Sequence, residues 1–345
     1  MSPKNVAKRL GIGLIGYGPY GQHLARMVSN NTRAYLPIIW TRSEGTAEKI
    51  RADGFAATND VDELIRHGEA EAVIVASPNA CHKEHVLKVC AAGKALWAEK
   101  PLVLNLADYD EIVAAVAASG VVNHCNFGMR YGGAARKLIA LADAGDLGRA
   151  MHLISRVTRG TGLFALGSPH KAVAHPELSG GWIMHHMCHH VDFAPRLTGE
   201  RVVRVYAQTV RSADDCPSEE SIAAVLTTEG GAICELADGV APQGDDHLSY
   251  LATKALAYVD AAGGLNVRGA CDENNYGHGG WSTTYTPEAY GDDSMAAFIA
   301  AVTGRPHNRT YPLSIVPISQ GRHVLEVLLA IQESARTSAT VTLGG

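Results

Sequence analysis

Residues 11–21 read GIGLIGYGPYG. A short apolar run over 12–16 leads straight into the spacing Gly16-x-Gly18-x-x-Gly21, and apolar positions at helical spacing (Leu24, Met27, Val28) follow. In the order strand, glycine turn, helix, each glycine has a task. Gly16 permits the tight turn, Gly18 lets backbone approach a diphosphate, and Gly21 allows the helix to pack closely on the strand. The helix N-terminus, with Pro19 and Tyr20 in its first turn, presents unpaired N–H groups and partial positive charge to phosphates. The segment is expected to hold a dinucleotide.

Outward from that turn, short apolar runs alternate with amphipathic stretches. Strands are expected at 36–40, 72–76, 95–98 and 121–126, with helices at 44–52, 61–67, 82–92 and 108–118. Such alternation builds a parallel sheet covered on both faces. Past Gly132 the rhythm changes. A helix over 134–143 is followed by strand candidates at 150–158, 202–210, 221–228, 232–236, 248–251 and 256–260, then helices at 294–302 and 316–334. The fold class is therefore α/β. An N-terminal Rossmann domain, a doubly wound parallel sheet over 1–127, precedes an α+β domain over 128–345 with an open, mostly antiparallel sheet. A C-terminal helix, about 314–335, is expected to pack back on the first domain.

Composition narrows the class. Of 345 residues, 46% are hydrophobic and 19% charged, which suits a globular chain. The formal charge of −5 leaves no basic footprint for nucleic acid. No apolar run reaches the length that spans a bilayer, and the basic start MSPKNVAKRL leads into a glycine-rich strand rather than a secretion signal. A cytoplasmic location is expected. Seven cysteines without a CxxC pair read as reduced thiols.

The second strand ends in Trp40-Thr41-Arg42-Ser43. No acid stands there to bind ribose hydroxyls and repel a 2′-phosphate. Thr41, Arg42 and Ser43 offer donors and a positive charge instead, so NADP is favoured over NAD.

Two further segments, Ser77-Pro78-Asn79-Ala80-Cys81-His82 and Ala98-Glu99-Lys100-Pro101, join the glycine loop in a specific combination. Together they resemble the glucose–fructose oxidoreductase / inositol dehydrogenase / MocA (GFO/IDH/MocA) family. The likeness extends to NFGMRY (126–131), GDLG (145–148) and GGWIMHHMCHHVD (180–192). It implies that Lys100 lies beside the nicotinamide, where it positions and deprotonates a substrate hydroxyl, and that a cis peptide precedes Pro101. Ser77, Pro78, Asn79, His82 and Glu99 join the cofactor site on the same ground.

The family's second-domain motif runs aspartate, three residues, histidine, two residues, aspartate. His189 and Asp192 match it, while His185 replaces the first aspartate. His189 becomes the candidate general acid/base, and Asp192 an orienting group. His185, one helical turn earlier, is expected on the same face. It could bond a hydroxyl or join His189 on a metal, but the spacing offers no third ligand, so no metal is expected. His186 and His190 fall on another face. Arg130 contacts substrate or ties the domains together. Trp182 offers a face to a sugar ring, and His170 and His175 border the same stretch. Tyr276, His278 and Trp281 lie in a polar loop that a neighbouring subunit could share.

The resemblance implies hydride transfer between a carbinol of a sugar, cyclitol or glycoside and NAD(P). Two alternatives stand beside it. One is a redox-neutral sugar-modifying enzyme with tightly held NAD, the other a non-catalytic dinucleotide-binding regulator. An open sheet face suggests a homodimer or homotetramer.

Overall fold

The computed structural model describes residues 8–160, 162–167, 169–241, 244–269, 282–286, 293–307 and 314–344. Tyr276, His278 and Trp281 lie outside them. The chain forms two compact units, one of 8–126 with 293–307 and 314–322, the other of the described residues within 127–286 together with 323–344.

The first unit is built on a parallel sheet. Across it the strands run Ala57–Thr58, Ile39–Trp40, Leu10–Ile15, Ala72–Val75, Ala95–Ala98 and Asn123–Cys125, with Ala34–Tyr35 also paired to the first strand. Leu10–Ile15, Ala72–Val75 and Ala95–Ala98 are buried at every position, as strands covered on both faces must be. The run expected at 36–40 is broken into Ala34–Tyr35 and Ile39–Trp40. Pro37 lies in the gap, and a proline cannot donate to the ladder. Ile12, Leu14, Leu24, Val28, Ile74 and Trp97 centre the core, which also takes in Met295, Phe298 and Ile299 of the helix Asp293–Thr303. Val316 closes the far edge. Its carbonyl accepts from the Cys125 amide at 2.8 Å, and its amide donates to His124 Nδ1 at 3.0 Å.

The second unit is a nine-stranded mixed sheet, ordered Ser282–Tyr285, Leu265–Gly269, Ala255–Val259, Asp245–Ala252, Ala150–Gly160, Ile233–Ala241, Ser221–Thr228, Val202–Val210, Val341–Thr342. Ala150–Gly160 and Ile233–Ala241 pair in parallel, and the other neighbours are antiparallel. One face alternates into the interior. Helix Cys188–Thr198 packs there, and Tyr250 donates its hydroxyl to Leu197 O at 3.1 Å.

The last long helix is Gly321–Thr337. From His323 onward it groups with the second unit, not the first: the Val202 amide donates to His323 Nε2 at 3.1 Å and the Ala207 amide to Ser334 Oγ at 2.9 Å. Residues 314–322 stay with the first unit, where Arg322 Nε meets Asp110 at 2.6 Å. Val324, Leu325, Val327, Leu328 and Ile331 of this helix are buried, and its two bonds to the strand Val202–Val210 give it a partner that periodicity alone could not select. Among the described residues, no helix is long and apolar enough to cross a membrane.

Candidate active site

The glycine turn has the form its spacing requires. Gly16 sits at φ +104°, and a Cβ there would lie 2.5 Å from Ala76 O. A Cβ on Gly21 would stand 2.2 Å from Gly16 O, so only glycine lets the helix start against the turn. Gly18 differs: nothing lies within 4 Å of the space its side chain would fill. It is the N-cap of helix Pro19–Asn30, with Pro19 in the first turn and no side-chain cap bond. Open space over amides at a helix N-terminus fits a diphosphate.

At the end of Ile39–Trp40, Thr41 is buried and its carbonyl accepts from Asn59 Nδ2 at 2.9 Å. Arg42 and Ser43 are exposed at the entry of helix Glu44–Ala52, where Ser43 Oγ accepts from the Thr46 amide at 3.4 Å. No carboxylate occupies these three positions.

Lys100 follows the strand Ala95–Ala98, half-buried, and its peptide to Pro101 is cis, as the resemblance implies. Leu10–Ile15 pairs with Ala72–Val75, which pairs with Ala95–Ala98. Gly16 and Lys100 therefore leave the same edge of the sheet two strands apart, about 10 Å by strand spacing. That edge, at the carboxyl ends, is where parallel sheets take ligands. Asn79 Nδ2 donates to Pro101 O at 2.6 Å and fixes the turn that carries Lys100.

Several residues expected at the cofactor prove to hold the crevice from inside. Glu99 is 5% exposed; its Oε1 accepts from Trp97 Nε1 and from Asn126 Nδ2, each at 2.9 Å, and burial pushes its pKa up. Asn126 also donates to the Tyr20 hydroxyl at 3.0 Å. Tyr20 itself is 48% exposed. Asn126 went unassigned in the sequence reading, although it opens NFGMRY. Ser77 is buried with its hydroxyl 2.9 Å from His85 Nδ1, and Pro78 is exposed beside it.

His82 is corrected most clearly. It is 1% exposed, with Nε2 2.7 Å from Ser77 O and Nδ1 3.0 Å from Leu102 O, so both ring nitrogens are committed to tying two loops together. Burial pushes its pKa down to about 4, against the pull of those carbonyls. A neutral ring has one N–H for two carbonyls, and the shorter contact marks Nε2 as its carrier. The unfolded chain takes up this proton near pH 6.5, but the folded one resists until about pH 4. Stability should therefore fall between those values by about 3 kcal/mol. Urea titrations of wild type and His82→Gln across pH 4–7 check it: the variant's curve should be the flatter one.

In the second unit, residues 181–198 form a helix with one wide turn. Ile183–Met187 is π-helical and continues into Cys188–Thr198. Such turns carry an extra residue and recur at functional sites. Trp182 is fully buried, its Nε1 bonded to Asp238 Oδ1 at 2.9 Å, and His186 stacks on its ring at 4.0 Å. It has no face left for a sugar, because Asp238 draws the indole inward. Asp238 also lies 3.1 Å from His190 Nε2, whose Nδ1 is 2.8 Å from Ser155 Oγ. All four groups are at most 3% exposed, so this chain of bonds is a scaffold under the π turn.

Arg130 grips Asp192 with two nitrogens, at 2.6 and 2.5 Å, tying the turn Gly128–Tyr131 to the helix. Those two nitrogens are spent on a carboxylate instead of substrate. Burial pushes the Asp192 carboxyl up while the guanidinium pulls it down.

His189 is half-buried four residues past His185. His185 gathers with other partners: His170, His185 and His186 each place a ring nitrogen within 4.8 Å of the other two. His175 is exposed, 3.3 Å from Glu177.

Comparison with known proteins agrees with this arrangement. Residues 10–127 match the model of the oxidoreductase family with NAD-binding Rossmann fold, GFO/IDH/MocA, and residues 135–255 match that family's C-terminal domain. The 2,7-anhydro-N-acetylneuraminate hydratase of Mediterraneibacter gnavus is 29% identical over 194 residues, 56% of this chain and 50% of the relative. The myo-inositol 2-dehydrogenase of Thermotoga maritima is 28% identical over 198 residues, 57% of each chain. The chain thus spans about half the length of these two curated relatives. Among solved structures, GenD2 from gentamicin A biosynthesis, in complex with NAD, superposes with TM-score 0.78 at 21% identity over the whole of both chains, a likeness of fold. A glycine turn open to a diphosphate, the lysine of Glu99-Lys100-Pro101 on the same sheet edge, and matches to both domains together make this chain a member of the GFO/IDH/MocA family of NAD-binding oxidoreductases.

Proposed function

We propose that this protein transfers a hydride between a carbinol of a sugar, cyclitol or glycoside and a nicotinamide dinucleotide. The observation that carries the reading is Lys100, held by the Asn79–Pro101 bond at the sheet edge that also bears the open Gly18 turn. A dinucleotide bound there would supply the hydride acceptor or donor. Lys100 orients the substrate hydroxyl and takes its proton, and His189 is assigned the general acid/base role by its match to the family motif. Thr41, Arg42 and Ser43 favour NADP over NAD, since an exposed guanidinium at a helix entry attracts a 2′-phosphate. The protein is read as cytoplasmic.

A relative named as a hydratase supports a second reading, a redox-neutral sugar-modifying enzyme in which transient oxidation by tightly held NAD permits elimination, epimerisation or hydrolysis. A panel of sugars and polyols with NAD and NADP, followed at the nicotinamide absorbance band, separates the two. Net cofactor turnover supports the dehydrogenase; substrate conversion without it supports the redox-neutral enzyme. Binding with no conversion of any kind would leave the regulator.

We also read the protein as a homodimer or homotetramer joined through the second unit's sheet. Tyr206 lies opposite Val225, and Ile233 is in register through His152 with Leu251 and Leu256. These residues are 36–44% exposed and share a face that no helix covers among the described residues. Val225→Lys should reduce the solution mass toward that of one chain. Light scattering after size exclusion measures it.

A further inference from the structure

His185 and His186 are neighbours on the π turn and His170 caps the short helix Lys171–Ala174, yet their ring nitrogens converge to within 4.8 Å. We infer that these three side chains form a binding site for a divalent transition-metal ion of the zinc class. The group consists of imidazoles alone among the described residues, and imidazole suits zinc, cobalt, nickel and copper ions rather than magnesium or calcium. A tetrahedral zinc ion, with nitrogens at about 2.0–2.1 Å, sets its ligand atoms about 3.3 Å apart. The nitrogens must therefore close by up to about 1.5 Å, which small rotations of half-buried rings supply.

The scaffold holds the rings from behind. His186 stacks on Trp182 at 4.0 Å and 22°, while His170 meets the same indole edge-on at 5.1 Å and 88°. Trp182 is anchored to Asp238, and Glu219 Oε1 accepts from the Ile183 amide at 2.6 Å at the start of the wide turn. The π turn is what turns His185 and His186 toward a common partner, His185 lying 5.3 Å and His186 5.6 Å from His170 between ring centres. Three protein ligands leave a coordination position open, the arrangement of a metal that polarises a bound oxygen rather than one that only supports a fold. His185 then acts as a ligand.

His170 makes the inference specific. Its Nδ1 accepts from the Ala172 amide at 3.1 Å, capping the short helix Lys171–Ala174. Nε2 is therefore its ligand atom, and metal capture there shifts the ring proton to Nδ1, breaking the cap. Binding should speed hydrogen exchange at the Ala172 amide even as it orders the three rings.

The test is a titration of tag-free, chelator-stripped full-length protein with Co²⁺ alone, read by visible absorption and by equilibrium dialysis. One Co²⁺ per chain with a tetrahedral-type spectrum is expected. His170→Gln and His186→Gln should each weaken binding at least about tenfold, with thermal melting confirming the fold. Faster exchange at Ala172 in the metal-loaded wild type should accompany binding. Less than stoichiometric binding by wild type overturns the site, as does unchanged affinity in both variants. Loss of binding in His189→Gln equal to that in His185→Gln would overturn it too, by assigning the ion to that pair. No dinucleotide enters the experiment, so its failure leaves the hydride-transfer reading standing.

Discussion

Lys100→Met should lower kcat/KM by about 10³-fold, roughly 4 kcal/mol of transition-state stabilisation, while dinucleotide affinity stays near that of wild type. The lysine follows a strand buried at every position and its turn is pinned by Asn79, so removing the ammonium leaves the sheet edge intact. The apolar stem of methionine keeps the packing of a half-buried side chain. Loss should therefore appear in kcat, with dinucleotide binding, followed by quenching of tryptophan fluorescence, unaffected. Turnover close to wild type would remove Lys100 from the proton path and with it the proposed chemistry.

Substitutions in the glycine turn should divide into two kinds. Gly21→Val drives a Cβ to within 2.2 Å of Gly16 O, which is backbone and cannot step aside. The helix Pro19–Asn30 must then move off the turn. We expect a stability loss of about 3 kcal/mol and a drop of roughly 10²-fold or more in dinucleotide affinity, because an ångström of displacement misaligns the amides. Gly18→Ala meets nothing within 4 Å and its φ of −66° suits any residue. Its melting temperature should match wild type, yet its methyl stands where the diphosphate approaches, so affinity should fall. Denaturant melts paired with dinucleotide titrations read both effects. Full affinity in Gly18→Ala would show that the phosphates bind elsewhere.

The parallel sheet and the dinucleotide turn were legible in the chain because both rest on local regularities. Apolar runs of four to six residues are satisfied by burial on both faces, and the glycine spacing carries its own logic, a close backbone approach at Gly16 and Gly21 and open space at Gly18. The mostly antiparallel sheet of the second unit followed from the succession of strands and turns, whereas the Lys-Pro turn came from the family resemblance. Tertiary structure alone decided where the polar side chains point. Trp182 looked available to a sugar, but Asp238, fifty-six residues on, draws its N–H inward. His82 and Glu99 are likewise turned into the protein by bonds to Leu102 O and Asn126. The π turn carries no sequence signature, and it hands His185 to His170 and His186. Backbone regularity is written in neighbouring residues, whereas a buried polar group goes to whichever partner satisfies it, and that partner is chosen by the fold.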